Sequence, residues 1–296
     1  MLPALRSGAS AAVRPRPALF RALGNSEVPS AVEIDGESYQ LATIFKHDSW
    51  AATALYSHPR SSAVVCKFNR QQSIGPIAMQ WLGRWLAQRE TTMLRRLRGV
   101  RGVPRWSGEV CVAGKKLPHA VSHDFIPGHA LRANELVDGL FVAKLRRALR
   151  RIHARDIAYV DLHKHENILV GDDGDPYFVD FQIGFALPPW WPAKGLLLRT
   201  ILNILQRSDE YHLEKHARGH LPANDPGRNA WQQVIPPWWI RVHRSIAQPF
   251  RRCRRWLLVQ LRIRDASGRA TSEYFPEDAI RERKAAINLS CSPNTG

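Results

Sequence analysis

The chain has 296 residues, of which 44% are hydrophobic and 23% charged, with a formal net charge of +17. That length and composition allow one large unit or two modest ones around a real core, and exclude a disordered polymer. The charge is mostly arginine and fits three origins: an anionic membrane surface, nucleic acid, or an arginine-favouring genome. No zinc-finger spacing or RNP-like aromatic motif supports nucleic acid, which is the least favoured partner.

Residues 1–30 read as a disordered basic tail, with four Arg and no acid before Glu27. An organelle transit peptide is the alternative reading of such a leader. Cys66, Cys111, Cys253 and Cys291 form no CxxC pair and read as reduced thiols of a cytoplasmic protein. No apolar run reaches the ~18 residues a bilayer span requires.

Residues 31–123 have the texture of short strands around one helix. EIDGESYQLATIF reads as strand, turn and strand, and SSAVVCKFN as a compact β-branched strand. IAMQWLGRWLAQRETTMLRRLRG carries Leu82, Leu86, Met93, Leu94 and Leu97 near helical spacing, and should end near Gly99. GEVCVAGKKLPHAVSHDFI then reads as strand, turn at Gly114, and strand. Past a junction near Ser122–Gly128 the texture turns helical, over 124–230. LVDGLFVAKLRRALRRIHARD predicts a long amphipathic helix.

After it comes YVDLHKHENILVGDDGDPYFVDFQIGFAL. ENILV and PYFVDF flank the turn GDDGD, so a hairpin brings Asn167 towards Asp180. Phosphoryl transfer needs little covalent chemistry, but it needs a metal on the phosphates and a carboxylate at the attacking hydroxyl. An Asp and an Asn held at strand ends suit Mg²⁺, which prefers oxygen ligands. Asn167 and Asp180 are therefore the candidate metal ligands, and Asp161 the residue that orients or deprotonates the acceptor.

The order strand-Lys, helix-Glu, linker, helix, Asp…Asn, hairpin, Asp-Phe resembles the protein-kinase-like superfamily over about residues 31–220. The resemblance implies an α+β, bilobal fold with a β-rich N-lobe and a mainly helical C-lobe. It implies ATP and Mg²⁺ as cofactors, with Mn²⁺ as the alternative cation. VVCK would make Lys67 the phosphate-contacting cation, and LAQRE would make Glu90 its partner. SHDFIPG resembles the hinge, so backbone groups of Asp124 and Phe125 would contact adenine. YVDLHKHEN resembles the catalytic loop and VDFQ the metal-binding Asp-Phe-Gly.

Several residues depart from that pattern. No glycine lies between Gly36 and Gly75, so the stretch FKHDSWAATALY lacks the usual phosphate-cradling loop. Asp48 there would repel phosphate, and Lys46 or Ser49 would have to compensate. Asn167 comes one residue late after Asp161, implying a bulged loop. Tyr159 and Val160 replace the family's His and Arg, Gln182 replaces the glycine, and no Ala-Pro-Glu segment follows.

DLH at Asp161–His163 is similar to small-molecule and lipid kinase-like enzymes, and D-L-x-K-x-x-N followed by D-F-Q resembles compact bacterial kinases near the lipopolysaccharide-core (Kdo/heptose) and RIO-type groups. LQRSDEYHLEKHARGHLP resembles the helix pair that follows in them. Three functions follow: a phosphotransferase acting on a saccharide or lipid-linked hydroxyl, a RIO-like protein Ser/Thr kinase, or a pseudokinase binding module. Residues 231–296 form an Arg/Trp-rich extension. With the PPWW runs at Pro188–Trp191 and Pro236–Trp239 it suggests peripheral contact with an anionic membrane, packing on the helical lobe being the alternative.

Overall fold

The structure, a computed structural model, describes residues 17–188 and 195–225. The second PPWW run, most of the first and the whole 231–296 extension lie outside the described residues. Cys66 and Cys111 are free thiols. Among the described residues no helix is long and apolar enough to cross a membrane.

The strands of the first lobe are β1 (Ala31–Ile34), β2 (Glu37–His47), β3 (Ala51–Ser57) and β4 (Val64–Asn69). After helix α1 (Gln80–Arg96) come β5 (Trp106–Gly108), β6 (Cys111–Val112), β7 (Lys115–Lys116) and β8 (Ala120–Asp124). They form one antiparallel sheet in the order β5-β8-β4-β3-β2-β1-β6-β7. The β1–β2 turn is Asp35-Gly36, with φ of 51° and 84°, the left-handed pair that a two-residue hairpin demands. β4 sits between β3 and β8, which places Lys67 mid-sheet.

The helix expected to end near Gly99 is α1. Its most buried line is Gly83, Ala87, Glu90, Met93 and Leu94, whereas Leu82 and Leu86 are only half-buried. Small residues let the first half of α1 lie close to the sheet. A Cβ at Gly83 would stand 2.1 Å from the Arg70 carbonyl oxygen. The second half points elsewhere: Met93, Leu94 and Leu97 join the core built on the next helix. Glu90 thus sits where α1 passes from one core to the other.

The second lobe holds β9 (Gly128–Ala130), α2 (Gly139–His153), β10 (Ile157–Ala158), β11 (Ile168–Gly171), β12 (Pro176–Phe178) and β13 (Phe185–Ala186). Its last described element is α3 (Gly195–His220). One side of α2 (Phe141, Leu145, Leu149, Ile152) is buried against Tyr159, Ile168, Phe178 and Phe181. Asp138 caps α2 by accepting from the Phe141 amide at 2.6 Å. Asp138→Ala should cost about 1 kcal/mol, read as a lower urea midpoint at unchanged slope.

The α+β arrangement of a β-rich first lobe and a second lobe with the longer helices is present, and three expectations need correction. Residues 17–30 do not behave as a tail. Ala22 and Val28 are buried, and the Ala22 amide donates to the Asp48 carbonyl at 2.7 Å. The stretch expected to give a helix pair is one helix, α3, because no glycine, proline or cap interrupts it before Gly219. The second hairpin strand stops at Phe178, since Asp180 adopts a left-handed φ of 61° that no strand accommodates.

Candidate functional site

Lys67 Nζ lies 3.1 Å from Glu90 Oε2 and 2.8 Å from Asp180 Oδ1. Burial disfavours the ammonium, but Asp180 and Glu90 together outweigh it and raise its pKa, so Lys67 is charged at neutral pH. Burial likewise pushes Asp180 upward, and the Lys67 cation wins, leaving its carboxyl below the usual range. Glu90 is held above its usual value by burial, against the pull of Lys67. The Phe181 amide also donates to Glu90, which fastens α1 to the Asp180 turn.

A cavity of about 310 Å³ opens beside this triad. Lys46, Asp48 and Trp50 line it from the β2–β3 hairpin, Val65 and Lys67 from β4, and Lys164, Asn167 and Leu169 from the second lobe. Sequence reasoning thus brought Lys67, Glu90, Asn167 and Asp180 to one cavity. Asp161 is buried just behind it. Its Oδ2 accepts from Lys164 Nζ at 2.7 Å and from Asn167 Nδ2 at 3.0 Å, and His163 Nδ1 stands 3.1 Å from Oδ1. The extra residue between Asp161 and Asn167 is absorbed in a single 3-10 turn, His165–Asn167.

Asp124 and Phe125, expected to present backbone groups to adenine, do not line the cavity, which reaches this strand at His123. Their amides are committed elsewhere. Asp124 N donates to the Arg105 carbonyl at 2.8 Å and Phe125 N to the Ala63 carbonyl at 3.0 Å. Apolar residues that do line the cavity include Val65 from the first lobe and Leu169 and Val179 from the second.

At the tip of the glycine-free stretch is a tight two-residue turn, Ser49-Trp50, closed by the Asp48 amide donating to the Ala51 carbonyl at 3.0 Å. Asp48 organises it. Its Oδ1 accepts from the Trp50 and Ala51 amides at 2.6 and 2.9 Å, and Lys46 Nζ pairs with Oδ2 at 2.7 Å. Ser49 does not compensate for the missing glycines, because its hydroxyl donates to the Phe20 carbonyl at 3.2 Å. Below the turn, buried Arg70 donates to the Ser49 carbonyl at 2.6 Å and to the Leu19 carbonyl at 3.0 Å. Residues 17–24 and Arg70 therefore brace the hairpin from beneath.

The sequence reading gave no role to three residues, Gln182 having been noted only as a departure. Lys164 contacts Asp161 and lines the cavity; a lysine inside the Asp…Asn loop was a signal available to it. Gln182 donates to Asn69 Oδ1 at 2.6 Å, clamping the Asp180 turn to the end of β4. Asp209 on α3 is fully buried and accepts from the Tyr159 and Val160 amides at 2.7 and 2.8 Å, with His153 Nε2 at 3.2 Å. It holds the catalytic-type loop while Val160 sits at a left-handed φ of 72°. Tyr159, in the place of the family's histidine, donates its hydroxyl to the Val179 carbonyl and stacks edge-on to Phe181. His216 Nε2–H donates to the Leu162 carbonyl at 2.7 Å; burial lowers that imidazole to about 4, so it is neutral at pH 7.

The donor set suits a hard cation shared with phosphates. The Asn167 amide nitrogen is turned onto Asp161, which leaves its oxygen as the atom that could meet a cation, and Asp180 adds a carboxylate on the same cavity. Among the described residues no three His, Cys, Asp or Glu side chains cluster as an all-protein metal site.

No family model and no curated protein matches the chain. Among solved structures it is similar to a Rio2 kinase–ADP/Mg²⁺–phosphoaspartate complex from Chaetomium thermophilum. The identity is 14% over 84% of this chain and 72% of that one, with a TM-score of 0.45.

Proposed function

We propose that the chain is an ATP- and Mg²⁺-dependent phosphotransferase that moves the γ-phosphate to a hydroxyl. The observation that carries this reading is Lys67, held between Glu90 and Asp180 on the wall of a cavity whose other wall bears Lys164 and Asn167. Lys67 orients the α- and β-phosphates, and its charge is secured by the two carboxylates. Asn167 and Asp180 hold the metal, which when bound neutralises charge developing on the phosphates. Val65 and Leu169 supply the apolar faces for a flat base. Asp161 sits behind Lys164 to position the acceptor hydroxyl and take its proton.

The acceptor is a saccharide or lipid-linked hydroxyl. The sequence feature behind this choice is the missing Ala-Pro-Glu segment, the platform on which protein kinases lay a peptide. The test is transfer of labelled γ-phosphate from ATP with Mg²⁺ and a membrane fraction, the label being separated into glycolipid and protein. Label in glycolipid supports the proposal, whereas label in protein moves the assignment to the RIO-like protein kinase.

A second reading, a binding module without turnover, has one specific observation behind it. The Trp50 and Ala51 amides, which a phosphate would need, are already occupied by Asp48. Absence of label in every fraction, from folded protein, would establish it.

Lys164 offers an internal check. Its ammonium bridges Asp161 and the cavity, where charge builds on the transferred group. Lys164→Ala should lower transfer about a hundredfold with an unchanged melting curve. Transfer within twofold of wild type would remove it from the machinery.

A further inference from the structure

Outside the cavity, the first lobe leaves a strip of large apolar side chains in water. Ile74 and Ile77 pair across a two-residue turn, each donating its amide to the other's carbonyl at 3.0 Å. The tip is Gly75-Pro76, and a Cβ added at Gly75 would meet nothing within 4 Å, so the tip is open on that side. Trp81 and Trp85, four residues apart, lie along one side of α1, and Ile77 sits on the hairpin just before the helix begins at Gln80. Ile74, Ile77, Trp81 and Trp85 are 42%, 59%, 62% and 47% exposed.

The strip continues towards the site. Arg89 lies one turn beyond Trp85, with its guanidinium 4.8 Å from the centre of that indole. The same guanidinium donates to the Gly184 carbonyl, beside Ile183, which is 49% exposed. One line of apolar groups thus runs from the hairpin tip to the loop that carries Asp180.

Charge decides what such a face fits. Between Asp48 and Glu90 there is no Asp or Glu, and Glu90 is buried on Lys67. The charges within the strip are arginines, Arg84 exposed on α1 and Arg89 beside Trp85. Exposed indoles and isoleucines with arginine and no acid have the composition of a headgroup interface. A protein partner would be met better by a face with charges of both signs, whereas exposed isoleucines on either side of a tight turn suit insertion at an acyl boundary.

We propose that the strip from Ile74 to Trp85 docks on an anionic lipid bilayer. Ile74 and Ile77 enter the acyl boundary, Trp81 and Trp85 lie at headgroup level, and Arg84 meets lipid phosphates. Docking there sets the Asp180 loop beside the membrane surface. This inference does not rest on the phosphotransfer reading, because vesicle binding is measured without turnover.

The experiment uses the full chain, sedimented with vesicles of phosphatidylcholine alone or mixed with phosphatidylglycerol. Wild type is compared with the Ile77→Ser/Trp81→Ser double variant, and hydrogen exchange is followed by peptide. Binding should be about tenfold tighter on the anionic vesicles. It should fall about tenfold or more in the double variant, with an unchanged melting curve. Residues 74–85 should gain exchange protection only when vesicles are added.

Four results would overturn the proposal. The double variant could bind as wild type does, placing the contact in another part of the chain. Anionic and neutral vesicles could bind equally. Residues 74–85 could already be protected in the free protein, meaning the chain covers its own strip. The variant could dissolve a dimer without affecting vesicle binding, which would make a second copy the occupant.

Discussion

Asp161→Asn is expected to lower phosphoryl transfer by about 10³-fold while leaving nucleotide binding and the melting curve near wild type. The side chain keeps its shape but loses the ability to accept a proton. It also loses half of its acceptor capacity in a place where Lys164 Nζ, Asn167 Nδ2 and His163 Nδ1 all converge on the carboxylate. An amide there turns its NH2 against one of those groups, a local penalty of about 1 kcal/mol that the fold can absorb. Nucleotide affinity should persist because Lys67, Val65 and Leu169 make no contact with the altered side chain and Asn167 Nδ2 can still donate to the amide oxygen. Isothermal titration with a non-hydrolysable ATP analogue, run beside the labelled transfer assay, separates the two effects. Equal loss of binding and turnover would remove Asp161 from the acceptor role, and retained transfer would remove it from the chemistry.

The largest stability effect should come from a residue that touches no ligand. Asp209→Ala is expected to destabilise the protein by about 4 kcal/mol. It strips the acceptors from two amides, Tyr159 N and Val160 N, inside a pocket where Asp209 is fully buried. Each orphaned buried donor costs about 1–3 kcal/mol. Val160, a β-branched residue at positive φ, would then keep a strained backbone with nothing holding it. Asp209→Asn keeps one acceptor oxygen and should cost about half as much. Urea unfolding measures both. An Asp209→Ala midpoint equal to wild type would show that the loop holds its conformation without α3.

Much of this was legible before any coordinates. The Lys67, Glu90, Asn167 and Asp180 quartet was readable because each lies inside a local pattern, a β-branched strand, a helical period or a hairpin, that fixes where it goes. What escaped was set by contacts between distant segments. Nothing near Asp209 in sequence marks it, since its partners are amides 49 and 50 residues away. Asp124 and Phe125 looked available as backbone donors, and only the packing of Arg105 and Ala63 beside them reveals that their amides are taken. The absent glycines were read correctly as a departure. The replacement was hidden, because Asp48 closes its own turn and Arg70 reaches back to Leu19 beneath it. The limit set at residue 30 failed for the same reason: residues 17–24 look like tail until Asp48 and Arg70 supply their partners.

The three-member charge group around Lys67 also has an order of assembly in time. Lys67 emerges from the ribosome shortly before Glu90, but Asp180 follows Lys67 by 113 residues. At synthesis rates of about 5–20 residues per second, that delay is on the order of ten seconds. Throughout it, the nascent first lobe can neutralise Lys67 with Glu90 alone, a pair of zero net charge. Arrival of Asp180 turns the group net negative. The net negative charge of the group therefore arises only after the sheet that carries the lysine has been made.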